Sequence, residues 1–154
     1  MSFESSLVWL QPGFLCFGEK PGLWRALQDD LDFLKQVSVR AILSLVEREP
    51  ELEAYSQYGF VTRHVPLIDN QAPSTDQLNR CMQALTELEA SDIPVYMHCY
   101  AGFGRSGTIA AGWLIRQGTK PLEAIERVRK LRPGAIECDA QYNLLLGSSA
   151  GELF

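Results

Sequence analysis

The sequence is poor in the features that send a chain to a membrane, an oxidising compartment or a nucleic acid. No apolar run approaches the roughly 18 residues that a bilayer-spanning helix needs. The first residues, Met1 to Ser6, lack the basic start and apolar stretch of a secretory signal. A cytoplasmic protein with no membrane partner is therefore expected. Basic residues are outnumbered 14 to 19, giving a net charge of −5, which disfavours nucleic acid as a partner because phosphate backbones are bound by cationic surfaces. The four cysteines, Cys16, Cys81, Cys99 and Cys138, include no C-x-x-C pair, and no histidine stands at zinc-ligand spacing. No metal, no other cofactor and no structural disulfide is expected. Internal repeats, low-complexity tracts and linkers are missing as well. What remains is 154 residues, 46% hydrophobic and 21% charged. That is enough for one core, so we expect one monomeric domain over 1–154, with 147–154 as a frayed tail.

The chain is organised around one stretch, His98-Cys99-Tyr100-Ala101-Gly102-Phe103-Gly104-Arg105-Ser106-Gly107. Ile93 to Met97 leads in as a short apolar run and reads as a buried strand. A helix is expected to leave it, Arg105 to Gln117, with Gly118 as the stop. A loop entering a helix N-terminus presents N–H groups without helical partners, in a dipole that favours negative charge. Gly102 and Gly104 let those N–H groups curl towards one centre, a nest for a tetrahedral oxyanion. Arg105 adds a planar fork that grips two oxygens. In such positive settings cysteine pKa falls from about 8.5 to roughly 3.5–7.5, so Cys99 is expected to be a thiolate nucleophile beneath the bound anion.

Rival readings of the stretch are weaker. A lone cysteine at a strand end is most often a small buried hydrophobe; an arginine six residues on, across a glycine loop, argues otherwise here. Gly102-Phe103-Gly104-Arg105-Ser106-Gly107 also satisfies G-x-G-x-x-G, but the acidic residue that a dinucleotide site expects about twenty positions on would be Glu123 or Glu126, inside a charged helix. No lysine follows the glycines, so a nucleoside-triphosphate loop is excluded too.

Along the rest of the chain, Leu7–Leu10 and Phe14–Phe17 flank Gln11-Pro12-Gly13 and read as two short strands around a turn. Trp24, Leu27, Leu31 and Leu34 recur at helical spacing and predict a helix over Leu23–Gln36. Ala41–Leu45 reads as a strand, Glu47–Gln57 as a charged loop with one weak helical turn, and Phe60–Val65 as a strand. Pro66–Pro73 is an exposed loop. Ser74 with Gln77 makes a capping box for a helix to about Glu89, with Leu78, Cys81, Leu85 and Leu88 inward. A helix from Lys120 places Leu122, Ile125, Val128 and Leu131 inward, Pro133-Gly134 ends it, and Asp139–Leu146 closes the chain. Strands interleaved with helices argue an α/β layer fold with helices on both faces of a sheet.

His98-Cys99, five residues, Arg105-Ser106 resembles the signature of the cysteine-dependent protein tyrosine phosphatases. The longer run to Thr108, with Leu131-Arg132-Pro133-Gly134-Ala135-Ile136-Glu137 downstream, resembles the small atypical dual-specificity phosphatases. The likeness spans residues 8–146 and is strongest from Asp69 to Gln141. It implies a phosphatase-type α/β fold, a central sheet of four or five strands flanked by helices on both faces, with the Cys99 strand in the middle. It implies hydrolysis of a phosphoprotein or phosphopeptide, with phosphotyrosine at least as favoured as phosphoserine or phosphothreonine, through a phosphocysteine. The loop's neutral Tyr100, Ala101 and Phe103 fit that substrate better than an inositol lipid.

In that scheme Cys99 attacks, and Tyr100, Ala101, Gly102, Phe103, Gly104 and Arg105 bind the phosphate. The resemblance makes Asp69, in the proline-bounded loop, the general acid. Its plainer role is a turn aspartate capping Gln71 or Ala72. Ser106 can stabilise the leaving sulfur or cap the helix. The resemblance gives Gln141 a water-positioning role and puts Glu137 beside the loop, though plain surface roles remain open for both. His98 is read as orienting Cys99 through the loop backbone. A rhodanese-like sulfurtransferase and a non-catalytic phosphate-binding module are the alternatives. Whether Cys138 can meet Cys99 is open.

Overall fold

The computed structural model describes residues 2–149 and 151; the expected fraying of the tail falls partly on 150 and 152–154, outside that range. Five short strands make one sheet in the order β1-β2-β5-β3-β4. They are β1 (Val8–Gln11), β2 (Leu15–Gly18), β3 (Ala41–Ser44), β4 (Val61–His64) and β5 (Val95–His98). Only the β1–β2 edge pair is antiparallel; β2, β5, β3 and β4 run parallel. β5 lies in the middle, so the loop after it opens at the carboxyl edge of the sheet, where open α/β sheets take their ligands.

The sheet is buried on both faces, and side chains alternate between two cores as the strand period requires. Leu15, Phe17, Ala41, Leu43, Val95 and Met97 face one. Helices α4 (Thr75–Ala90), α5 (Gly104–Arg116), α6 (Pro121–Leu131) and α7 (Asp139–Leu146) cover it. Cys16, Ile42 and Tyr96 face the other, with α1 (Phe3–Ser6), α2 (Leu27–Gln36) and α3 (Leu52–Gln57). The helix that leaves the loop, α5, is buried from Gly104 to Ile115. A helix apolar all round belongs inside a layer, and α5 packs against α4, α6 and α7 at once. Among the described residues no helix is long and apolar enough to cross a membrane.

The structure departs from the expected elements in four places. The expected helix at Leu23 starts only at Leu27, because the buried Asp30 carboxylate accepts from the Gly22 N–H (2.7 Å) and Arg25 Nε (2.6 Å) and holds the preceding chain in a turn. Trp24 is consequently 63% exposed, not inward. Leu122 and Leu131 on α6 are also exposed, while Ala124, Ile125 and Val128 are buried. Residues three apart step about 300° round a helix, so four of them cannot share one face. The charged stretch after β3 forms the helix α3, anchored by the buried Tyr55. Finally, Ser2 and Ser5 make a reciprocal capping box that starts the short α1, unforeseen in the sequence.

Candidate active site

Five residues, Cys99 to Phe103, join the end of β5 to the first turn of α5. Gly102 has φ +83°, and its N–H points back at Cys99 Sγ over 3.3 Å. Ser106 Oγ lies at 3.3 Å from the same sulfur. Ser106 is inside α5, and the N-cap position belongs to Phe103, so the capping role considered for Ser106 is excluded. Three consecutive loop carbonyls are taken from behind. Arg132 donates to Gly102 O (3.2 Å) and Ala101 O (3.0 Å), and the Ile136 N–H donates to Phe103 O (3.1 Å). The Arg132 guanidinium stacks on the Phe103 ring at 4.0 Å. With these carbonyls engaged, the free backbone polar groups are the N–H groups at the start of α5, an anion-binding arrangement.

The loop is pressed against the end of β2. A Cβ on Gly102 would lie 2.5 Å from the carbonyl carbon of Gly18 and 2.7 Å from the Glu19 nitrogen. Gly102→Ala combines that backbone clash with a left-handed φ. We expect a loss of about 2–4 kcal/mol, read in thermal unfolding as a Tm lower by roughly 5–15 °C.

Arg105, buried to 5% exposure, reaches across to the Pro66–Pro73 loop. Its Nη1 donates to Leu67 O at 3.1 Å and stands 3.8 Å from Glu47 Oε1. Its Nε is 3.5 Å from Asp69 Oδ1, yet makes no hydrogen bond. A buried guanidinium N–H without an acceptor, beside two ion-paired carboxylates, marks a place for anionic oxygens. Asp69 is half exposed, and its Oδ1 accepts from the Asn70 N–H at 3.0 Å; it caps neither Gln71 nor Ala72. Val46, Glu47, Arg48, Asp69, Tyr100 and Arg105 line a cleft of about 390 Å³, with Tyr100 exposed at the rim. A larger groove of about 670 Å³ lies along α6 and Tyr142 and is lined by no cysteine or serine.

Glu137 and Gln141 both stand by the loop. A Cβ on Gly104 would lie 2.5 Å from Glu137 Oε1 and 3.4 Å from Gln141 Nε2. Gln141 is fully buried, accepts from the Glu137 N–H (3.0 Å) and donates to Gln71 O (3.3 Å). A surface role for Gln141 is thereby excluded: it ties the Asp69 loop to α7. Cys138 offers its thiol to Asn70 O at 3.5 Å, and all four cysteines are free. Burial pushes the Cys16 thiol far up and the Cys81 thiol to about 12, so both belong to the core.

Behind Cys99 lies a network that the sequence did not announce. His98 is fully buried, with Nδ1 2.8 Å from Cys99 O and Nε2 3.3 Å from Glu49 Oε2. Glu49 accepts from Lys20 Nζ (2.7 Å), Ser44 Oγ (2.7 Å) and Tyr55 Oη (3.4 Å). Burial alone would raise the Glu49 carboxyl, but the close approach of the His98 ring and hydrogen bonds from Lys20 and Ser44 outweigh it and hold the group well below the ordinary carboxylate range. A depressed folded-state pKa contributes stability above the unfolded value, near 4.3 for Glu, and loses it as pH falls below that. Wild type should therefore lose more Tm between pH 5 and pH 2 than Glu49→Gln does, by thermal unfolding at both pH values. Only position distinguishes Glu49 from its neighbours: the side chains of Glu47 and Glu51 are 56% and 35% exposed, that of Glu49 not at all.

Residues 17–119 match a family model described as Tc-R-P, a polymorphic toxin system DSP-PTPase phosphatase. Cyclin-dependent kinase inhibitor 3 of Sus scrofa is 33% identical over 135 residues, 79% of this chain and 62% of that protein. Dual specificity protein phosphatase 12 of Homo sapiens is 31% identical over 140 residues, 88% of this chain and 39% of that protein. The chain thus spans less than two thirds of the length of these curated relatives. Among solved structures, Tk-PTP in its active form superposes with a TM-score of 0.82 at 31% identity, over 91% of this chain and 93% of that one. Kinase associated phosphatase, with its catalytic-site cysteine replaced by serine, gives 0.81 at 29% identity, over 91% and 90%.

Proposed function

The chain belongs to the dual-specificity type of cysteine-dependent protein tyrosine phosphatases, and from that premise we propose that it hydrolyses phosphotyrosine, with phosphoserine and phosphothreonine as further candidates, on a phosphoprotein partner. The observation that carries the reading is the setting of Cys99 Sγ, held between the Gly102 N–H and Ser106 Oγ at the N-terminus of α5, with Arg105 in the first turn of that helix.

The phosphate takes the loop N–H groups and the Arg105 fork. A sulfur lone pair attacks phosphorus, the S–P bond forms, and the P–O ester bond breaks. The leaving oxygen needs a proton, and a protonated Asp69, 3.5 Å from Arg105 Nε before substrate enters, can deliver it. Asp69 then accepts a proton from the water that attacks the phosphocysteine, the S–P bond breaks, and Ser106 donates to the thiolate that leaves. Gln141, bonded to Glu137 N–H and Gln71 O, steadies the loop that carries Asp69. Tyr100 at the rim offers an aryl ring a surface to pack on.

The test is rapid mixing with an aryl phosphate. A burst of one phenol per chain, with phosphate found on Cys99 by mass spectrometry after acid quench, is expected. Persulfide formed on Cys99 from thiosulfate, without phenol release, would replace the reading with sulfur transfer. Oxyanion binding with neither product would leave a binding module. Turnover of phosphotyrosine and phosphothreonine peptides side by side then ranks the substrates.

A further inference from the structure

We propose that Arg129 on α6 is a positioning residue for phosphate binding: its guanidinium holds Ile136 in a left-handed backbone, and Ile136 holds the loop after β5 in its anion-binding shape. The proposal rests on residues 99–105 being the phosphate site of the phosphatase reading.

Ile136 is strained. It has φ +62° and is buried. Glycine takes that region freely, as Gly134 does at +94° two residues earlier. A β-branched residue does not, because its Cβ crowds the following carbonyl oxygen. Among the described residues the other non-glycine positions of positive φ are Ser38, Asn70 and Asp92, all small and polar; Ile136 alone is β-branched. Such strain persists only where the surroundings over-determine it, and it gathers at functional sites.

The strained backbone reaches the site on one side and Arg129 on the other. The Ile136 N–H donates to Phe103 O at 3.1 Å, the carbonyl that also closes the first turn of α5 by accepting from the Gly107 N–H (3.2 Å). The approach is so close that a Cβ on Gly107 would lie 3.0 Å from Ala135 Cβ and 3.2 Å from the Ile136 nitrogen. Behind, one guanidinium takes two successive carbonyls: Arg129 Nε donates to Ala135 O and Nη2 to Ile136 O, each at 3.0 Å. A planar fork matches two acceptors at fixed spacing, which a lysine ammonium does not. The Tyr142 ring, 5.4 Å away, seats the fork against α7. Without the fork, Ile136 relaxes towards negative φ and its N–H leaves Phe103 O. The peptide units around Phe103 are then freer to turn a carbonyl to the anion, which repels it. Arg132 still holds the carbonyls of Ala101 and Gly102, so the loss is graded rather than total.

Calorimetry of inorganic phosphate binding tests this without turnover. A chain that binds phosphate and releases no phenol fails the phosphatase reading alone; a wild type that binds no phosphate overturns both. Arg129→Met keeps the apolar stem and removes the fork. Well below its Tm, the folded variant should bind phosphate about tenfold more weakly, the usual size of a coupling between distant groups. Arg129→Lys, with a single ammonium, should fall between. Arg127→Met is the control: it removes a cation from the same groove that bonds to neither carbonyl, and affinity should stay within about twofold. A lower Tm in Arg129→Met with unchanged phosphate affinity makes Arg129 purely structural and overturns the proposal, as does an equal loss in Arg127→Met. If no Arg129 variant folds, hydrogen exchange in the wild type decides. Coupling is reciprocal, so saturating phosphate should slow exchange of the Ile136 amide more than that of Met97 in β5; no greater slowing at Ile136 overturns the proposal.

Discussion

Cys99→Ser should abolish turnover of an aryl phosphate, by about 10⁴-fold or more, while inorganic phosphate still binds within severalfold. The substitution changes one atom. A serine hydroxyl in that place keeps a neighbour in Ser106 Oγ and in the Gly102 N–H, and the anion-binding groups of α5 and Arg105 stay where they are. What is lost is the sulfur nucleophile; a hydroxyl has no adjacent base to activate it, because His98 is turned to the Cys99 carbonyl and Glu49. Chemistry and binding should therefore separate cleanly. Steady-state kinetics and calorimetry on the same preparation measure the two sides. Turnover retained in Cys99→Ser would mean that phosphate never passes through the sulfur.

The loop itself was legible in the sequence because it is local. Cysteine, glycines, arginine and helix start lie within ten consecutive residues, and each acts through the backbone beside it. The capping box of Ser74 and Gln77 was legible for the same reason, and it forms as expected. Asp69 needed more. Its loop could be drawn from Pro66 and Pro73, but its approach to Arg105 depends on where β4 delivers that loop, 36 residues ahead of the arginine. Glu49 was beyond reach. Three acidic residues alternate at 47, 49 and 51, and which one turns inward is decided by how α3 seats Tyr55 against the sheet. Arg132 stood in a recognisable stretch, but nothing there said that its fork would take the carbonyls of Ala101 and Gly102, 31 and 30 residues away. Trp24 misled for a similar reason, since Asp30 outbids helical propensity in the turn before α2. Contacts close in sequence were readable; those set by the packing of separate elements were not.

The acid is the part of the site where this matters most, because two carboxylates approach Arg105. Asp69→Asn should slow hydrolysis of a phosphate with a poor leaving group by about 10²–10³-fold, and that of a good leaving group only severalfold. An alkoxide or phenolate that leaves badly depends on a proton in the transition state; an acidic nitrophenol does not. The amide keeps the size of Asp69 and an oxygen that can still accept from the Asn70 N–H, so the fold should be retained, as thermal unfolding will show. Glu47 supplies the internal comparison. Its Oε1 is 3.8 Å from Arg105 Nη1 and its side chain is as exposed as that of Asp69. If Glu47 only balances the arginine's charge, Glu47→Gln should change rates for good and poor leaving groups in equal proportion. A leaving-group slope in Glu47→Gln with none in Asp69→Asn would move the acid from the loop after β4 to the loop after β3.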